Sequence, residues 1–369
     1  MRTVGIEEEY LLLNAEGTPV ASSGAAIKAI TPSPRPPGTP APSTDGPGVE
    51  VELTQEQLES GTRPRTELDD VLDEVRHARS RAERAARGGG ARIAALGTSP
   101  VAVEPTTSPD PRYEELIRRF ALTAREQLTC GCHIHVGIDS DEEGVQVLDR
   151  IGPWLPVLLA LSSNSPFWHG ADSGYASYRS QVWNRWPSAG PTAQFGSAAA
   201  YHAAVEDLVA TGTILDTGMV YFDARLSDHY PTVEIRVADV CLDAEDAVLV
   251  AALARGLVDT AAADAARGRP APAVRVEQLR AATWRAARSG LGGELVSPSS
   301  LRPVTAHQAV AELVDHVADA LDASGDLGRV RERVAHLLAG GTGAEQQLRW
   351  LTETDLSGVA DLAARRTVG

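Results

Sequence analysis

Cysteine is scarce, with three among 369 residues. The odd count and the absence of spaced pairs exclude a disulfide framework and point to a reducing cytoplasm. Cys130 and Cys132 flank one glycine, and Cys241 is distant. Long apolar runs are also missing. The alanine-rich stretch 244–266 carries Glu245, Asp246, Arg255, Asp259 and Asp264, so nothing reads as a membrane span. The N-terminus has Arg2 but no apolar core with a small-residue cleavage site, and acids begin at Glu7, so it does not read as a signal peptide. Positive charge is the third shortage. Lys and Arg total 34 against 50 Asp and Glu, a formal net charge of −16. That excludes non-specific binding to nucleic acid or to an anionic membrane. A chain like this can handle a polyanion only with metal ions and a few placed arginines.

What remains is ordinary globular material, 43% hydrophobic and 23% charged, long enough for one large domain or two ordinary ones. Strand signals at 4–13, 92–97, 128–137, 218–222 and 232–237 are scattered among helical stretches at 66–88, 113–126, 140–161, 201–211 and 244–267, with helices from 274 onward. No βαβ rhythm is visible, so the expected class is α+β with a mostly antiparallel sheet. Proline density at 31–48 predicts a surface loop. Arg76, Arg79, Arg81, Arg84 and Arg87 read as a solvated helix face rather than a nucleic-acid stripe.

Within the first strand stand three glutamates, Glu7-Glu8-Glu9. Alternation places Glu7 and Glu9 on one face and Glu8 on the other. Two carboxylates on one face are either ligands for a hard divalent cation or the charges of an edge strand that resists aggregation. Cys130-Gly131-Cys132-His133-Ile134-His135-Val136-Gly137 alternates in the same way, with His133 and His135 opposite the apolar face. The pair could bind zinc, as His-x-His does in hydrolases, or be core histidines satisfied by hydrogen bonds. Thr232-Val233-Glu234-Ile235-Arg236-Val237 sets Glu234 and Arg236 on one face, either as a salt bridge or as a metal carboxylate beside a phosphate-binding arginine. Glu52 and Glu59, seven apart, share a face on a helix but not on a continuous strand. The stretch 162–187, with its aromatics, hydroxyls and Arg179, reads as a substrate wall or as aromatics packed under a loop.

Taken in order, Gly5-Ile6-Glu7-Glu8-Glu9-Tyr10, Glu52 to Glu59 with Gln57, the Cys-Gly-Cys-His-Ile-His-Val-Gly run, Ser165-Pro166 to Tyr178-Arg179, and Thr232-Val-Glu-Ile-Arg resemble the glutamate–cysteine ligase-like carboxylate–amine ligases of the YbdK type. The resemblance covers about 1–270. It implies a glutamine-synthetase-like catalytic fold, a curved antiparallel sheet forming a funnel backed by helices. The whole chain would be one catalytic domain, 1–369, with a helical portion from about 274 to 369. It also implies ATP with magnesium or manganese, and an acyl phosphate that an amine converts to an amide, as in γ-glutamylcysteine formation from glutamate and cysteine. By matching motifs, Glu7, Glu9, Glu52, Glu59, His133 and Glu234 would be metal ligands, with His135 close by. Arg236 would meet the transferred phosphate, with Arg179 beside it in catalysis. Partners would be small carboxylates and amines, and the family leaves room for a homo-oligomer. The competing readings are a zinc hydrolase on His133 and His135, and a relative that keeps the fold only to bind a ligand.

Overall fold

The computed structural model describes residues 1–31 and 48–369. Most of the proline-rich stretch expected to be a loop therefore lies outside the described residues. In chain order the strands that matter are β1 (Val4–Leu13), β2 (Val49–Val51), β3 (Gln57–Gly61), β4 (Arg92–Ala94) and β5 (Gly131–Gly137). A separate ribbon of β6 (Phe167–Trp168) and β7 (Ala171–Asp172) follows, then β8 (Ala224–Leu226) and β9 (Thr232–Asp239).

A seven-stranded sheet runs β2-β3-β1-β5-β9-β8, with β4 paired to the far end of β1. Every pairing in it is antiparallel. The architecture is α+β in the glutamine-synthetase-like form, a curved antiparallel sheet backed by helices. Two features bend the sheet. β1 exchanges partners along its length, pairing with β3 and β5 first and with β4 over Leu11–Leu13. The β5–β9 register also shifts between Cys132 and Ile134, where Cys132 faces Ala238 but Ile134 faces Ile235. Arg236 and Val237 therefore oppose the single residue His133, a bulge that sharpens local twist.

The convex face is apolar because every second residue is. Ile6, Ile134, Val136, Val233 and Ile235 are at most 1% exposed. They share a core with the helices Asp141–Ile151, Leu155–Ser162 and Ala244–Ala266. Ser140 caps the first of these by accepting from the Glu143 amide, and Pro153 falls in the short 3-10 turn that separates it from the second. A second core forms around Tyr10–Leu13, with Ala360, Ala363 and Ala364 of the helix Leu356–Val368. Full burial of each leucine there contributes about 1.5–3 kcal/mol.

Several local expectations need correction. The helix 113–126 breaks at Ala121, which has φ 50°, into Pro111–Phe120 and Leu122–Arg125. The strand expected at 218–222 is instead a 3-10 turn, Thr217–Met219, followed by β8. Arg79, read as part of a solvated face of the helix Leu68–Gly88, is 2% exposed. Its guanidinium clamps Glu8 at 2.6 and 2.9 Å and donates to the carbonyls of Cys241 and Leu242. Glu8 thus points into the convex core, where Tyr10 also donates to it.

Candidate active site

The concave face gathers the remaining members of the alternation. Strand register alone brings Glu9 opposite Glu59, Glu7 opposite His133, and His135 opposite Glu234. Glu234 in turn sits opposite Arg225. Glu52 and Glu59 lie neither on one helix nor on one strand. β2 and β3 form a hairpin, and the turn after Val51 folds Glu52 back beside Glu59.

Two ligand-type sets result, each with its donor atoms within 4.8 Å of one another. One is Glu9, Glu52 and Glu59; the other is Glu7, His133 and Glu234. In the first set, burial raises the pKa of Glu52 and of Glu9. Burial together with a hydrogen bond shared with Glu52 pushes Glu59 well above the usual carboxyl range. At Glu9 burial outweighs the opposing charges of Arg179 and Arg236, and at Glu59 the neighbouring carboxylates add to it. In the second set burial opposes ionisation but is outweighed. His133 and His135 hold Glu7 low, and Arg236 and Arg225 hold Glu234 low. Burial and the neighbouring Arg236 push His133 down to about 4, so its imidazole is neutral at ordinary pH. The Nε2 atoms of His133 and His135 are both buried without a hydrogen-bond partner. His135 differs in that its Nδ1 lies 3.0 Å from the Thr232 hydroxyl and its Nε2 3.3 Å from Glu7. His133 joins Glu7 and Glu234 in a ligand-type set that does not include His135.

Cations line the same floor. Arg236 pairs with Glu234, and Arg225 grips the same carboxylate at 2.7 Å. Arg179, 2% exposed, reaches under β9 to the Val237 and Arg236 carbonyls at 3.4 Å, and its Nε is unpartnered. Its position depends on Asp239, which stands 3.9 Å away and is fully buried. The Asp239 carboxylate accepts from the Asn164 amide and from the Ser165 and Ser177 hydroxyls at 2.7–2.8 Å. Gly131 leaves room for the arginine, and its amide donates to Glu9 at 2.5 Å.

Two chambers open onto this floor. One, of about 1040 Å³, is bordered by Glu7, Glu59, Arg63, His135, Tyr230 and Asp259 among others. The other, of about 330 Å³, contains both ligand-type sets together with Arg225, Arg236, Tyr113, Trp183, Trp186 and Tyr221. The Arg236 guanidinium lies over the Trp183 and Tyr221 rings at 5.7 and 6.0 Å. The aromatic stretch 162–187 is thus divided. Trp183 and Trp186 wall the chamber, whereas Trp168, Tyr175 and Tyr178 pack against one another in tilted and edge-to-face contacts. The cysteines take no part, being buried thiols whose pKa burial raises. Sequence reasoning missed Arg225 and Asp239. The alternation of Tyr221, Asp223 and Arg225 was the available signal for the first.

A funnel-shaped antiparallel sheet with acids, histidine and arginine on its concave face defines the carboxylate–amine ligase class. The family description "Glutamate-cysteine ligase family 2 (GCS2)" matches residues 3–364, and the chain belongs to that family. It is an ATP-dependent carbon–nitrogen ligase. A Streptomyces coelicolor protein whose name assigns it provisionally as glutamate–cysteine ligase 2 is 50% identical over 369 residues, covering 100% of this chain and 99% of that one. The glutamate–cysteine ligase of Francisella tularensis, solved in complex with AMP, shares the fold. Its TM-score is 0.69 at 13% identity, over 100% of this chain and 89% of that one. A bifunctional glutathione synthetase from Pasteurella multocida also superposes, with TM-score 0.69 at 16% identity over 99% of this chain. The chain spans about half of that protein, 52%.

Proposed function

We propose that the chain joins a small carboxylic acid to an amine by transferring the γ-phosphoryl group of ATP to the carboxylate, after which the amine displaces phosphate to leave an amide. Glutamate and cysteine are the substrates that the names of its relatives favour. The observation that carries the reading is the gathering of both ligand-type sets and the buried Arg236 in the smaller chamber, which shares Glu7 and Glu59 with the larger one. The larger chamber would hold the nucleoside end of ATP and the smaller one the acid and amine. Oxygen-rich donor sets and the orphaned His133 Nε2 fit hard divalent ions such as magnesium or manganese. The holders would be Glu9, Glu52 and Glu59 in one set, and Glu7, His133 and Glu234 in the other. Such ions, when bound, neutralise triphosphate charge and polarise the phosphoryl group.

The chain's own residues supply the rest. Arg236 would hold the oxygens of the phosphoryl group in flight, and Arg179, already desolvated, would oppose the negative charge that grows there. Trp183 and Tyr221 keep Arg236 in place and screen water from a reactive acyl phosphate. No activated serine or cysteine is needed, because positioning and charge do the work. The second core, in which the last helix packs around β1, supports treating the whole chain as one catalytic unit. Three free, buried cysteines support a cytoplasmic setting.

The test is ATP-dependent phosphate release across a panel of amino acids, with product masses recorded. ADP formation with no acid–amine pair would sink the proposal. Stoichiometric zinc retained through dialysis, with ATP-independent hydrolysis, would restore the zinc reading.

A further inference from the structure

We propose that Tyr230 is the nucleobase platform of this ligase, a residue that positions ATP by stacking and takes no part in the chemistry. The inference rests on the ATP-dependent reading above. Tyr230 stands in the turn between β8 and β9, and among the described residues it is the one Phe, Tyr or Trp bordering the larger chamber. It is 59% exposed, so the ring is accessible to a ligand in that chamber.

The turn that carries it is anchored. The Thr232 amide donates to the Tyr230 carbonyl at 2.7 Å, the Ser227 amide to the Thr232 carbonyl at 3.0 Å, and the Thr217 hydroxyl to Asp228 at 2.9 Å. The ring meets His135 edge to face, with centroids 6.1 Å apart at 89°. The contact lies at the junction of the chambers, and Tyr230 borders both of them. A base lying on this ring would have its phosphates directed past His135 toward Glu7. Both of those residues border the two chambers. Stacking on an aromatic face tolerates any base and needs no hydrogen bond from the phenol hydroxyl.

The experiment is calorimetric binding of ATP, and separately of inorganic triphosphate, in magnesium buffer, to the intact chain and to Tyr230→Phe and Tyr230→Ala. Tyr230→Phe should bind ATP within about twofold of the unsubstituted chain. Tyr230→Ala should bind ATP about tenfold more weakly yet keep its triphosphate affinity. Unchanged ATP affinity in Tyr230→Ala would overturn the platform, as would an equal loss for triphosphate, which has no base to stack. An unsubstituted chain that binds neither ligand would refute the ATP-dependent reading itself.

Discussion

Two adjacent glutamates on one strand should respond to the same substitution in opposite ways. Glu8 faces the convex core at 2% exposure, ion-paired on both carboxylate oxygens with the equally buried Arg79. In Glu8→Gln one of those oxygens becomes an amide nitrogen, so two donors face each other and the guanidinium is left charged in the core. Removing one partner of a buried pair costs about 3–5 kcal/mol. Glu9 faces the funnel, crowded by Glu52 and Glu59 and raised in pKa by burial. In Glu9→Gln the remaining carbonyl oxygen can still accept from the Gly131 amide, and a source of carboxylate repulsion disappears. Its stability should stay within about 1 kcal/mol of the parent or rise, as at other sites where function opposes stability. Urea unfolding at neutral pH without added metal reads both, Glu8→Gln through a lowered midpoint at unchanged slope. Phosphate release reads the other half, with Glu9→Gln inactive. A Glu8→Gln midpoint equal to the parent's, or a Glu9→Gln loss of the same size, would refute the assignment of faces.

Gly131→Ala should fold normally and lose about 100-fold in kcat, because the new methyl would stand 2.9 Å from the Arg179 Cζ and 3.1 Å from the His133 Nε2, forcing both to shift; a parent-like kcat would count against a role for Arg179. Asp239→Asn turns a buried acceptor of three hydrogen bonds partly into a donor and should cost about 3 kcal/mol in urea unfolding along with activity, whereas a silent substitution would mean Arg179 is held by other contacts. His133 adds a pH dependence to the metal-free protein. Its folded pKa is about 4 against 6.5 for an ordinary imidazole, so the unfolded chain takes up the proton first and stability falls as pH drops from about 6.5 toward 4. His133 by itself contributes a loss of about 3 kcal/mol across that window and nothing above it, while the raised carboxyls Glu59 and Asp223 act in the opposite direction. Urea midpoints at pH 5 and 7 in the parent and in His133→Asn check this: on going from pH 7 to pH 5 the parent should fare worse than the variant, and an identical pH response in the two would refute it.

Much of this was legible in local pattern. The period-two alternation puts Glu7 and Glu9 on one face of their strand, His133 and His135 on one face of theirs, and Glu234 and Arg236 on one face of theirs, because each strand carries a buried apolar partner at every second place. The family resemblance joined them into one constellation. The burial of Arg79 was not legible, since helical spacing cannot reveal that an acid from a distant strand waits opposite one arginine of five.

Sequence alone determined which side chains belong together by face within each strand, since backbone pleating fixes that over a few residues. Tertiary structure decided what depends on register and return of the chain. The hairpin after Val51 set Glu52 beside Glu59, a proximity that neither helical nor strand spacing provides. The bulge opposite His133 matters most. Continued without interruption, the alternation of β9 would send residue 239 toward the core with Val233 and Ile235. One extra residue reverses the parity, so Asp239 lies opposite Gly131 on the funnel side and holds Arg179. An inserted residue is visible only against the strand it pairs with, and that partner lies a hundred residues away in the chain.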